Sequence, residues 1–145
     1  MESLRMFVNG QAMSGGSLNT ALSGAVFVGP AETAPRYRFY SVRDEFPGLY
    51  PADSTGLAGY AVPGELYEVS YRILREHLLP NEPEELELGV IELSDGGGSL
   101  SMRMRDASLT LPGVVDISAA GGWRAHLASG PASGPASGRT RGAAG

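Results

Sequence analysis

The residues that could do chemistry in this chain are carboxylates, hydroxyls and backbone amides. The acids crowd into NEPEELELGVIELSD, where Glu82, Glu84, Glu85, Glu87, Glu92 and Asp95 fall within fourteen residues. Such a run ordinarily marks a solvated face. Glu82 stands apart by its context, between Asn81 and Pro83 and just beyond an expected helix stop, where a side chain can turn into a cleft. A carboxyl held there among apolar groups would have a raised pKa and could serve as a general acid or base. The second stretch is FVNGQAMSGG, from Phe7 to Gly16. If it follows a strand, the backbone N–H groups of Gly10, Gln11, Ala12 and Met13 could receive a carboxylate or carbonyl oxygen. Asn9-Gly10 is equally well explained as an ordinary turn pair. Tyr40, Tyr50 and Tyr67 offer hydroxyls to a pocket, or bulk to a core.

Several chemistries are excluded by composition. All 11 basic residues are arginine, so there is no Schiff-base, phosphate-loop or general-base lysine. No cysteine is present, which removes disulfides, thiolate nucleophiles and cysteine metal sites. His77 and His126 lie far apart and lack the spacing of a metal set, so they read as packing or capping residues. No cofactor is expected. The net charge of -5 and the scattered arginines argue against a nucleic-acid partner. The N-terminus lacks a signal-peptide pattern and no stretch has the length of a membrane span, so a soluble cytoplasmic protein is expected.

The elements that must position these residues follow from periodicity. Leu4, Met6 and Val8 alternate as in a strand that ends at Asn9-Gly10. Ser17 to Leu22 suits a single helical turn, and Ala25 to Val28 and Tyr37 to Val42 read as strands. From Asp44 to Pro63 the prolines and glycines predict a long loop with one strand toward its end. GELYEV is a strand, after which Ser70 caps a helix that Pro80 stops, with Ile73, Leu74 and His77 on or near its inner face. Glu87 to Leu93 and Ser99 to Met104 form a hairpin across Asp95 to Gly98. A short helix is expected near Trp123 to Leu127, with Trp123 as a packing anchor and Arg124 paired to an acid. Strands, then one helix, then strands predict an α+β fold, a small mostly antiparallel barrel or curled sheet with one packed helix. The domain is expected over 1–129. The Gly/Pro/Ala/Ser-rich segment 130–145 has no large apolar side chain and is expected to be a flexible tail.

VNGQAM followed by SGGSLN, then APRYRFYSV, PGLYPAD, VPGELYEV, LELGVIELSDG and DISAAGGWRAHLAS, resemble in that order the C-terminal domain of allophanate hydrolases over residues 6 to 128. The DIS-x-x-GGWRAHLA ending is the most specific match. PGLYP to VPGELYEV also resembles gamma-glutamylcyclotransferase-like proteins, whose fold that domain shares. The resemblance implies a small α+β barrel with a cavity beside the loop after the first strand. It places Asn9 to Met13 where backbone amides hold a substrate's carboxylate end, with the aromatic start and Ser of the cyclotransferase motif lost. It carries the catalytic acid/base glutamate, which serves internal attack of an amine on a side-chain amide, to Glu82, with Glu84 and Glu85 as the positions a gap would select.

In allophanate hydrolases the domain is associated with decarboxylation of the amidase product and with subunit assembly. The histidine expected in its first loop is replaced in that neighbourhood by Gln11. The chain has no room for an amidase domain and no lysine for its Ser-Ser-Lys set. The expectation is therefore a stand-alone enzyme on an amide, gamma-glutamyl amine or N-carboxy compound, its partner a small molecule bearing a carboxylate or amide. The alternative is a non-catalytic binding or assembly module, as a homodimer or beside a separate amidase.

Overall fold

The computed structural model describes residues 3–129, so the expected tail lies outside the described residues. Eight strands make one curled sheet: β1 (Ser3–Val8), β2 (Val26–Glu32), β3 (Tyr37–Val42), β4 (Phe46–Pro51), β5 (Pro63–Ser70), β6 (Leu86–Glu92), β7 (Gly98–Met104) and β8 (Val114–Asp116). The strand order is β2-β5-β1-β7-β4-β3-β8, with β6 on the other edge of β7. Most pairs are antiparallel, as the alternating patterns predict.

The exceptions create the cavity. One edge of β7 is shared by two parallel partners, β1 at Leu100 and Ser101 and β4 at Arg103. The sheet forks at Met102, where β1 and β4 part. The Ser101 hydroxyl donates to the Phe7 carbonyl at 2.9 Å and ties down the β1 side of the fork. The core is divided in the same way. Met6, Phe7, Leu49, Leu66, Leu78 and Trp123 belong to one buried cluster, and Val42, Phe46, Tyr50, Leu86 and Met104 to a second.

The segment Asp44 to Pro63 departs from the expected long loop, because its first part is β4, paired with β3 from Phe46 to Pro51. The prolines do not break it. Pro47 and Pro51 share the parity of Leu49, so their nitrogens turn to the edge that meets β7 through Leu49 alone. The β3–β4 turn was hidden because Arg43 and Asp44 adopt φ of 56° and 57° without glycine. Hydrogen bonds between Ser41 and Asp44 hold it, together with a 2.8 Å contact from His126 Nε2 to Asp44.

The Ser70 hydroxyl accepts from the Ile73 N–H at 3.1 Å, as a cap should. The helix it starts, α1 (Tyr71–Ile73), widens into a π-helical turn over Leu74–Leu78 and tightens into a 3-10 turn over Leu79–Asn81. The widening brings Leu78 rather than His77 inward beside Leu74, leaving His77 exposed. At the chain's far end lies α2 (Trp123–Ser129). The two glycines before it have φ of 89° and 117°, and a Cβ on Gly122 would meet Pro63 Cγ at 2.7 Å. Both observations explain why GG precedes Trp123. No helix among the described residues is long and apolar enough to cross a membrane.

Candidate active site

Glu82 takes its place from the end of the helix. Pro80 closes the last turn, the Asn81 side chain donates to the His77 carbonyl at 2.7 Å, and the Glu82 N–H donates to Leu79 O at 3.1 Å. The chain then turns extended at Glu82, with φ of -82° and ψ of 143°. This change of direction carries the side chain into the fork of the sheet.

A cavity of about 40 Å³ occupies the fork, between the two core clusters. Its walls include Asn9 to Ala12 from the first loop, Phe46 and Pro47 from β4, Ser101 and Met102 from β7, and Glu82. Glu82 keeps some surface at the cavity edge but has no ion-pair or hydrogen-bond partner among the described residues, and the protein packed around its carboxyl removes most of its water. That burial raises its pKa from the ordinary value of 4.5 to about 7. The carboxyl is therefore divided between its protonated and ionised forms near neutrality, the condition under which one group both gives and takes a proton. In the same wall Asn9 is 8% exposed and its Nδ2 is buried without an acceptor among the described residues. A buried amide donor left unmatched costs free energy.

The first loop is pinned from several sides. Leu18 N–H donates to Gln11 O, Asn19 Nδ2 to Ala12 O, and Gln11 Nε2 to Glu45 O, at 2.8 to 2.9 Å. Of the four loop amides expected to face a ligand, that of Met13 is spent on Gly10 O at 3.1 Å, and the Met13 side chain lies in the core rather than in the cavity wall. Gly10 is required by close approach, since a Cβ there would lie 2.3 Å from Pro47 Cδ. Both residues line the cavity. Gly10→Ala is expected to push Pro47 outward, costing about 1–3 kcal/mol of stability by denaturant titration. An unchanged midpoint would show that the wall is looser than the geometry says.

The three tyrosines are not brought to this cavity. The Tyr50 hydroxyl donates to Asp106 at 2.7 Å, and that of Tyr67 accepts from Asn19 and donates to Glu65, each at 3.1 Å. Tyr40 packs against the second core cluster. All three sit on strands whose inward positions are filled by packing. Glu84 is exposed, and Glu85 pairs with Arg43 at 3.2 Å, so neither alternative acid lines the cavity.

A group that the sequence did not single out is Glu65 on β5, 6% exposed. It accepts from the Ser14 N–H at 2.7 Å, the Ser14 hydroxyl at 2.6 Å, the Tyr67 hydroxyl at 3.1 Å and Arg124 Nη2 at 3.3 Å. Burial pushes its pKa up, and the donors, Ser14 foremost, outweigh it and bring it below the ordinary value. Arg124 Nη2 also donates to Ser14 O at 2.6 Å. The acid expected for Arg124 is thus Glu65 of the same chain, and the pair clamps α2 onto the first loop. The only sequence signal was a glutamate at an inward position of an apolar strand. Among the described residues no group of three His, Asp or Glu side chains is placed to hold a metal ion.

A forked, curled sheet with few helices and a cavity beside the first loop defines the gamma-glutamylcyclotransferase-like class of fold. The sequence model of the allophanate hydrolase C-terminal domain matches residues 4–128, and the chain belongs to that family. No curated protein matches. Among solved structures, a protein specific to uropathogenic E. coli is 28% identical, with a TM-score of 0.79 over 88% of this chain and 98% of that one. The allophanate hydrolase of Kluyveromyces lactis is 24% identical, with a TM-score of 0.79 over 88% of this chain and 21% of that enzyme. An AIG2-like protein of Mus musculus is 20% identical, with a TM-score of 0.56 over 77% of this chain and 86% of that one. The two likenesses below 25% identity speak for the fold alone.

Proposed function

We propose that this protein is a small-molecule enzyme acting on an amide, gamma-glutamyl amine or N-carboxy compound, with Glu82 as its general acid/base. The observation that carries the reading is the juxtaposition of an unpartnered, desolvated carboxyl with an unmatched Asn9 amide donor in one cavity wall. An amide group is complementary to that pair, its C=O accepting from Asn9 Nδ2 and its N–H facing Glu82. About 40 Å³ is room for roughly three waters. The cavity therefore takes the reacting group alone, with the rest of the substrate outside it.

For internal attack on an amide, ionised Glu82 takes a proton from the attacking amine. The new C–N bond forms, and the proton passes to the departing nitrogen as the old C–N bond breaks. For an N-carboxy compound, protonated Glu82 gives its proton to nitrogen as the N–C bond breaks and carbon dioxide leaves. Both steps need one group that ionises near neutrality.

The second reading, a module assembling with a separately encoded amidase, is favoured by one fact: the fold makes up 21% of the K. lactis allophanate hydrolase. Carboxyl NMR titration separates the readings, with Glu82→Gln used to assign the signal. A pKa near 7 is expected. A value at or below about 4.3 would mean a solvated acid and would favour the module. Turnover is then sought among gamma-glutamyl amines and N-carboxylated ureas.

A further inference from the structure

The turn between β3 and β4 borders the Glu82 cavity and is tied to two of its sides. Toward the first loop, Glu45 O accepts from Gln11 Nε2 at 2.8 Å. Toward the segment that carries Glu82, Arg43 Nη1 donates to Glu85 Oε2 at 3.2 Å. The other edge of the same guanidinium, Nε and Nη2, meets Glu45 Oε1 at 3.1 Å. Arg43 Cζ also lies 5.9 Å from the centre of the Phe46 ring, and Phe46 is a wall of the cavity.

Arg43 is held in this direction by its own backbone. Its φ of 56° is left-handed, a conformation uncommon for a residue with a Cβ. Its N–H donates to Gly113 O at 2.8 Å. A Cβ on Gly113 would lie 2.8 Å from Arg43 Cγ, so that glycine leaves the room in which the arginine stem lies. Such strain persists only where the surrounding structure over-determines it, and it concentrates at functional sites.

We propose that Arg43 is a positioning residue for Glu82: through Glu85 and the Phe46 ring it draws the Glu82 segment against β4 and keeps the carboxyl inside the fork. Arg105 fixes the same segment from the β7 side, its N–H on Glu85 O at 3.0 Å and its Nε on Glu84 O at 2.8 Å. Those bonds hold the main chain to β7 and leave its distance from β4 to Arg43. Without Arg43, the Glu82 side of the cavity is free to move away from Phe46 and Pro47, and water reaches the carboxyl. Glu82 is the one ionisable side chain among the residues that line the cavity, so exclusion of water, and no charge in the wall, sets its proton affinity. The inference rests on the acid/base reading of Glu82 and adds the residue that maintains its surroundings.

Carboxyl NMR titration of the full chain tests it, with Glu82→Gln assigning the signal. Wild-type Glu82 is expected to titrate near 7. Arg43→Gln should raise its acid dissociation constant roughly tenfold or more, bringing the pKa down toward the ordinary value. The sign is diagnostic. Loss of a cation with no change of structure disfavours the carboxylate and raises the pKa, whereas entry of water lowers it. Arg43→Lys keeps the charge, but a single ammonium does not span two acids as the guanidinium fork does, so an intermediate value is expected. The Arg43 side chain is 43% exposed, and ion pairs at such sites contribute little to stability, so Arg43→Gln is expected to stay folded.

A wild-type value near 7 that Arg43→Gln leaves unchanged or raises would overturn the positioning role and leave the acid/base reading standing. A wild-type value in the ordinary carboxylate range would overturn both. If Arg43→Gln fails to fold, Arg43→Lys decides by the same signs, a lowered value supporting the role and an unchanged one ending it.

Discussion

Replacing Glu82 by glutamine is expected to reduce kcat/KM by roughly 10²- to 10⁴-fold, the usual contribution of a positioned acid/base, while the protein stays folded. Glutamine keeps the size of the side chain and removes the exchangeable proton. No charged group among the described residues loses a partner, because Glu82 has none there. Burial alone sets its pKa near 7. Activity on an amide substrate should therefore follow a profile with one limb near that value in the wild type, and the limb should vanish in the variant. Retention of wild-type turnover by Glu82→Gln would end the acid/base assignment.

The same substitution has a stability signature that needs no substrate. A carboxyl with a folded pKa near 7 and an unfolded value near 4.5 holds more protons in the folded state between those limits. Stability then falls as pH rises through this window. Its contribution is full below about pH 4.5 and lost above about pH 7. Glutamine pays no such cost on ionisation. At pH 8 Glu82→Gln should be more stable than the wild type by at most about 3 kcal/mol, and the gap should close toward pH 4.5. Melting curves at the two pH values read this directly. A gap independent of pH would mean that the carboxyl is not desolvated in the folded protein.

The sequence carried the fold further than it carried the site. Strand alternation in LRMFV and GELYEV, the Ser70 cap, the Pro80 stop and the Asp95 to Gly98 hairpin are local signals, and the structure uses each of them. Glu82 stood out because a helix stop beside a proline is also local. What escaped was non-local. The strand parity of Pro47 and Pro51 has meaning only once β3 and β7 flank them. The fork at Met102 depends on two strands distant in sequence sharing one edge of β7. The tyrosines looked available because a hydroxyl on a strand gives no sign of its partner. Tyr50 finds Asp106, fifty-six residues on, and Tyr67 finds Asn19, forty-eight residues back.

Glu65 escaped for the same reason, and it has the largest expected effect on stability. Its donors come from the first loop through Ser14, from its own strand through Tyr67, and from α2 through Arg124. Removing a buried carboxylate leaves all of these donors facing an apolar gap. Glu65→Ala should cost about 3–5 kcal/mol, a large share of the 5–15 kcal/mol typical of a domain. Glu65→Gln keeps one acceptor oxygen and should cost less, about 1–3 kcal/mol. Because the folded pKa of Glu65 lies below its ordinary value, its contribution is present above about pH 4.5. It is lost as pH falls through the folded pKa, the opposite sense to Glu82. Denaturant titrations of the three proteins at pH 7 test the ranking, and a Glu65→Ala cost below about 1 kcal/mol would show that the clamp is not holding the loop. A loosened loop has a further consequence. Water admitted between Gly10 and Pro47 would lower the Glu82 pKa toward its ordinary value, so Glu65→Ala, measured where it remains folded, should shift the Glu82 carboxyl titration downward without touching Glu82 itself.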